Sequence, residues 1–257
     1  MFKSGKFILS LFFIFVTMNC FAIIHVDFTK RKLITGETLN YRAKWGVLTI
    51  GTASSRTDKK LYRLGSKVCY KIDLKGKTNG LAKLFYLNDK WTSYIDIESF
   101  TTLKSYRSIH EGGYRLEEIV YFDAGNNKAR VHEYDFNKKL YFLKNIYETP
   151  ENIFDVVSGF MMIRLIDFTK SAVGDKFRIA GFYKNEGYKI DLIYYGKESI
   201  KTDNGKKQCY KIKPIVPKSR VFDGLDAVSV WISADKAQKI IKIKANLVLG
   251  ELIIDLL

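Results

Sequence analysis

From residue 33 onward the chain is a succession of short apolar–polar alternations broken by Gly, Asn, Asp and Lys. A period of two places successive side chains on opposite faces of a strand, so the pattern predicts a series of half-buried β-strands. The first, at 36–41, puts Leu39 and Tyr41 on one face. The next, at 45–51, is punctuated by Gly46 and Gly51, which suit bends or bulges. Strands follow over 66–77, 82–97 and 101–109. A hairpin joins 114–122 to 128–136 through Asp123-Ala124-Gly125-Asn126-Asn127, residues that tolerate the positive φ of tight turns. A strand around 139–147 is rich in Tyr, Phe and Leu. Strands resume at 174–177 and continue over 187–197, 206–213, 226–234, 238–246 and 248–256.

The period changes once. Ile153, Val156, Val157 and Phe160 fall at helical spacing, and so do Phe154, Met161 and Leu165. Thr149 suits a cap, Pro150 the first helical position and Glu151 the positive helix end. The expected helix covers about 150–166, and its two apolar stripes require burial on most sides.

One phrase occurs twice. Gly65-Ser66-Lys67-Val68-Cys69-Tyr70-Lys71-Ile72 returns as Gly205-Lys206-Lys207-Gln208-Cys209-Tyr210-Lys211-Ile212, with six of the eight positions identical. Trp91-Thr92-Ser93 returns as Trp231-Ile232-Ser233 at the same offset of 140 residues. An internal repeat of this length means two copies of one folding unit. The fold class that follows is mainly β: two related antiparallel β-meanders, about 33–147 and 171–257, forming a barrel or half-barrel with the helix between them. With no Ser/Gly-rich linker, residues 23–257 read as a single β domain. In the phrase, Val68, Tyr70 and Ile72 form a core-facing pattern, and Lys67, Cys69 and Lys71 a polar one.

Composition adds an address. Lys3 and Lys6 precede an apolar run from Phe7 to Val16, and Cys20-Phe21-Ala22 follows with small residues where a signal peptidase reads. This is the pattern of an export signal cleaved after Ala22, which places the protein in the periplasm or cell envelope. Lipidation of Cys20 and an uncleaved anchor are the alternatives. The net charge of +16 becomes +14 without that segment. Such a balance fits an anionic membrane surface as partner, or simply a solvated basic exterior. Nucleic acid is not expected, because no recognition motif appears.

Candidate chemistry is sparse. His110-Glu111 and His132-Glu133 would be a metal set, but His132 should pair near Ile119. His110 would then lie roughly 30 Å further along at ~3.3 Å per residue. No Gly-x-Ser-x-Gly, His-Glu-x-x-His or Gly-rich phosphate loop occurs. No cofactor and no catalytic residue is assigned, and the enzyme reading ranks below a binding one. Cys69 and Cys209, at equivalent repeat positions, are a candidate disulfide or two separate apolar fillers. Trp91 and Trp231, with Phe154, Phe160 and Met161 of the helix, are candidate ligand-binding residues for a lipid or other apolar ligand in the β concavity. Core packing is the plainer use of the same side chains. The leading functional expectation is a non-enzymatic envelope protein binding an apolar or amphipathic ligand. The alternative is a structural or interaction module with a solid core.

The motifs together resemble an exported bacterial family known as domain of unknown function 3108. The marks are Gly36-Glu37-Thr38-Leu39-Asn40-Tyr41 with Trp45-Gly46 and Gly51, then Leu87-Asn88-Asp89 running into Trp91. Asp155 and Ser158 on the helix, and Val230-Trp231-Ile232-Ser233 with Asp235, complete them. Gln238-Lys239-Ile240 departs from the pattern, where a proline-bearing turn is expected. The resemblance implies a mainly antiparallel β protein of the envelope and no activity or site residues. It also implies a shape similar to lipoprotein-carrier half-barrels, a likeness of architecture alone.

Overall fold

The computed structural model describes residues 23–24, 32–79, 86–215, 224, 227–248 and 250–257. The export segment 1–22, with Cys20, and His25 lie outside the described residues. Among these, the first part of the chain forms β1 (Ile23–Ile24), β2 (Thr38–Trp45), β3 (Leu48–Thr57), β4 (Tyr62–Leu64), β5 (Lys67–Thr78) and β6 (Asn88–Asp96). Then come β7 (Thr102–Glu111), β8 (Tyr114–Asp123), β9 (Lys128–Asp135), β10 (Leu140–Glu148) and β11 (Ile153–Phe154). After the helix α1 (Val156–Ile163) and a 3-10 turn (Phe168–Lys170) follow β12 (Lys176–Tyr183), β13 (Glu186–Thr202) and β14 (Gly205–Pro214). The chain ends with β15 (Val228–Ser233), β16 (Ile240–Leu247) and β17 (Gly250–Leu256).

All the strands join one sheet, mainly antiparallel. Neighbours run from β10 through β9, β8, β7, β6, β5, β3, β2, β17, β16, β15, β14 and β13 to β12. The two meanders therefore meet where β2, the first strand of one, pairs with β17, the last of the other. At the opposite junction there is no ladder among the described residues. There β12 carries only the short parallel strands β1 and β11, and β10 pairs only with β9, so the sheet is not closed. Side chains span that seam instead. Val120 and Phe122 of β8 and Val131 of β9 pack with Ile153 and Phe182. The Phe122 and Phe182 rings meet edge to face at 5.6 Å.

The helix fills the interior. Met162 and Ile163, with Ile166 and Phe168 beyond, pack on Tyr210, Ile212, Val230 and Ile232 of the second meander. Val157, Met161 and Leu165 pack on Tyr70, Ile72, Ile95 and Phe100 of the first. Each such side chain contributes about 1.5–3 kcal/mol on leaving water, so α1 ties the two meanders into one core. Gly51 marks a close approach of β3 to β5. A β-carbon there would fall 2.3 Å from the Lys77 carbonyl oxygen, which admits only glycine.

Three expectations are corrected. The helix begins at Val156, not near 150, because Ile153–Phe154 add to β12 and Asp155 supplies the cap. The cysteine face of the repeated phrase is not simply polar, since Cys69 and Cys209 are both fully buried. The repeat also slips in register. Cys69 pairs with Asp96, but Cys209 pairs with Ser233, three residues short of the equivalent Lys236. An odd slip reverses faces. Trp91, opposite Leu74, therefore joins the core cluster of Tyr70 and Ile72. Trp231, opposite Lys211, lies on the outer face with Cys209 and Ile241.

Candidate functional site

Each end of α1 is fixed by buried polar groups. At the N-terminus the Asp155 carboxylate accepts from Ser158 N at 2.7 Å, and Ser158 Oγ accepts from Asp155 N at 2.8 Å, a reciprocal capping box. Thr102 of β7 joins it, its Oγ1 2.6 Å from Ser158 Oγ and accepting from Asp155 N at 3.0 Å. Burial pushes the Asp155 carboxyl up to about 6, although these hydrogen bonds pull it down. The neutral acid is thus favoured in the fold relative to the unfolded chain. Its contribution is fully present below the ordinary 3.8 and is lost as pH rises through about 6. Asp155→Asn keeps an oxygen for Ser158 N and removes the titration. Relative to that variant, the native protein should lose roughly 2 kcal/mol between pH 4 and pH 8. Paired urea titrations across pH check this; parallel curves for the two proteins would count against it.

At the C-terminus, Arg164 is buried and reaches both meanders. Its guanidinium donates to Glu37 at 2.6 and 3.0 Å, to the Ala237 carbonyl at 3.2 Å and to the Gln238 carbonyl at 3.1 Å. Gln238 answers, its side-chain amide donating to the Arg164 and Ile166 carbonyls at 2.8 and 2.9 Å. The sequence carried a signal for this site: an arginine inside an apolar helical stripe needs a buried acid, and Glu37 sits in the family mark.

The candidate ligand residues are only partly brought together. Phe154 and Met161 are buried in the core and Phe160 is half-buried against it. Trp91 faces the interior beside Tyr183, with the Arg107 guanidinium 5.7 Å from its ring centroid. Trp231 is on the other side of the sheet, donating its indole N–H to Glu198. The space among Trp91, Arg107, Glu118, Asp155 and Phe182 is about 20 Å³, room for a water and not for a lipid. A larger recess of about 340 Å³ opens outside the interior, beside Lys32, Leu33, Leu165 and Lys236. Cys69 and Cys209 are free thiols with five strands between them, β3, β2, β17, β16 and β15, so the candidate bridge is not formed. Burial pushes both up, Cys209 to about 11, which keeps them protonated. His132 pairs with Ile119 as expected, and His110 with Arg115.

Among the described residues, the strand with an unpartnered edge is β10. All its residues but Tyr147 are exposed, and Leu140, Phe142, Leu143 and Ile146 are 42–51% accessible. Among the described residues only one of its edges is paired, through a ladder to β9 that is offset between Leu143 and Asn145. A long apolar edge strand is a template for another strand. Its rigidity comes from behind: the Tyr141 hydroxyl donates to Glu117 on β8 at 2.9 Å, and Tyr141 packs on Tyr134 at 5.0 Å.

The model of a family described as Protein of unknown function (DUF3108) matches residues 40–256. No curated protein matches the chain. Among solved structures, it is similar to a β-barrel-like protein of domain of unknown function DUF1849 from Brucella abortus. The identity is 9%, the TM-score 0.50, and the alignment covers 86% of this chain and 94% of that one. A protein with a YmcC-like fold from Bacteroides fragilis aligns at 10% identity and a TM-score of 0.34, over 88% of this chain and 95% of that one. The first likeness bears on the fold alone; the second is too distant to bear on it.

Proposed function

The chain belongs to the DUF3108 family of proteins of unknown function, and on that premise we propose that it is a non-enzymatic interaction module of the cell envelope. Its work is done by its exterior, with a partner's strand added to the open edge of β10. The observation that carries this reading is that edge: nine residues, mostly apolar and exposed, presented by a body whose interior α1 already fills. Strand addition suits such an edge, with main-chain hydrogen bonds giving affinity and side chains such as Phe142 and Ile146 giving selectivity. The family marks support it too. Glu37, Asp155 and Ser158 hold the helix, Gly51 admits a close strand, and Asp89 accepts from His110 N at 3.0 Å. They build a scaffold.

A lipid carrier is the second reading, and the recess beside Lys32 and Lys236 is what favours it. Native mass spectrometry of protein purified from its own envelope distinguishes the two. The interaction module gives a bare mass. A co-purifying amphiphile, displaced by a fluorescent fatty acid, would replace it with the carrier. A photo-crosslinking residue at Phe142 should give a discrete adduct in the envelope fraction, while one at the exposed Val47 should not. Equal labelling at both positions would take β10 out of the reading.

A further inference from the structure

One outward array of cations shows only once the register is known. Tyr70 and Ile72 of β5 line the core, so Lys71, Lys75 and Lys77 face outward. The pairing carries that face across the sheet: Lys71 stands opposite Tyr94, Tyr94 opposite Lys104, Lys104 opposite Tyr121, and Tyr121 opposite Arg130. Cations and tyrosines alternate across five strands. Lys104 Nζ lies 5.8 and 5.0 Å from the Tyr94 and Tyr121 ring centroids, and Lys71 Nζ lies 5.6 Å from that of Tyr62. A second cation, Lys90, stands 6.0 Å from the Tyr106 ring in the adjacent row.

On the second meander several outward cations are met by acids. Lys211 faces Glu198 at 3.4 Å, Lys242 faces Asp255 at 3.4 Å, Arg178 faces Asp191 at 2.6 Å, and Lys244 is paired with Glu251. Lys71, Lys75, Lys77 and Lys104 make no salt bridge among the described residues. The outer face of β5, β6 and β7 thus presents four lysines without a salt bridge among the described residues, spread in two dimensions with tyrosines between, and with Asp73 4.0 Å from Lys90.

We propose that this face docks on an anionic lipid bilayer. A two-dimensional spread of cations matches a charged surface better than a linear polymer, which needs a single track. Tyrosine rings with polar tips suit the headgroup layer. The row ends at Arg130, which stands opposite Ile146 of β10, but the lysines tested lie on β5 and β7, so the proposal stands or falls independently of strand addition.

The test uses the full chain and vesicles of phosphatidylcholine with or without phosphatidylglycerol. Co-sedimentation should occur with the anionic vesicles and weaken as salt is raised. Each outward lysine near an anionic surface is worth about fivefold in binding, the equivalent of ~1 kcal/mol. The triple variant Lys71→Gln, Lys75→Gln, Lys104→Gln should then bind roughly a hundredfold more weakly. A control triple, Lys189→Gln, Lys206→Gln, Lys207→Gln, changes net charge equally on the other meander and should lose far less. Far-UV circular dichroism checks that both variants fold. Equal binding to neutral vesicles would overturn the proposal, as would equal losses in the two triples. Tighter binding to single-stranded DNA through the same lysines would overturn it in favour of a polyanion.

Discussion

Replacing Arg164 with alanine should cost about 3–5 kcal/mol of unfolding free energy, read from the urea midpoint at constant slope. The loss would come from what is left behind. Glu37, whose side chain is 9% exposed, would keep a buried carboxylate with its guanidinium gone. The carbonyls of Ala237 and Gln238 would lose donors at the same time. Arg164→Lys should fail almost as badly, since one ammonium cannot reproduce a fork spanning both Glu37 oxygens and two carbonyls. Removing both charges is different. Arg164→Met combined with Glu37→Leu should recover most of the loss, because no unpaired ion then remains in the core. A single Arg164→Ala loss below about 1 kcal/mol, as for an exposed pair, would show that the guanidinium does not hold the helix.

Phe168→Ala should be comparably severe, at about 3–5 kcal/mol by the same measurement. This ring is 1% exposed and sits at the centre of an aromatic group, 5.6 Å from Phe177, 5.5 Å from Tyr194 and 5.3 Å from Tyr210. No neighbour is placed to collapse into the space, since the surrounding strands are held by their ladders. Phe168→Leu should lose about half as much, the remaining volume limiting the cavity. Equal losses for Ala and Leu would point to the ring contacts and not to the void.

The strands were legible because alternation reports which residues share a face, and the hairpin at β8 and β9 carried its own turn chemistry. The buried helix was legible too: adjacent Met161 and Met162 pack on different meanders, as two apolar stripes require. Its start was not. Thr149-Pro150-Glu151 and Asp155-x-x-Ser158 are equally good local openings, and only the pairing of Ile153–Phe154 with β12 decides between them. The tryptophans misled because an offset of 140 holds in sequence while the ladder slips by three residues. The departure at Gln238 has a physical reason. Its φ of 43° excludes proline, and its amide donates to the Arg164 and Ile166 carbonyls just past the helix end. Of the two proposed interaction surfaces, β10 read as one more apolar strand. Alternation cannot tell an edge from an interior position, and a cation–tyrosine row exists only across strands.

The seam between β8 and β12 has a mechanical consequence. In a closed barrel, strand number and stagger fix the diameter, and no single side chain can alter it. Here the girth is set by a clasp, Phe122 against Phe182, and by the thickness of the helix inside. The molecule is a split collar around a mandrel. A larger or smaller residue at the clasp would widen or narrow the collar without breaking one ladder hydrogen bond, so its bore can be retuned while every strand keeps its neighbour.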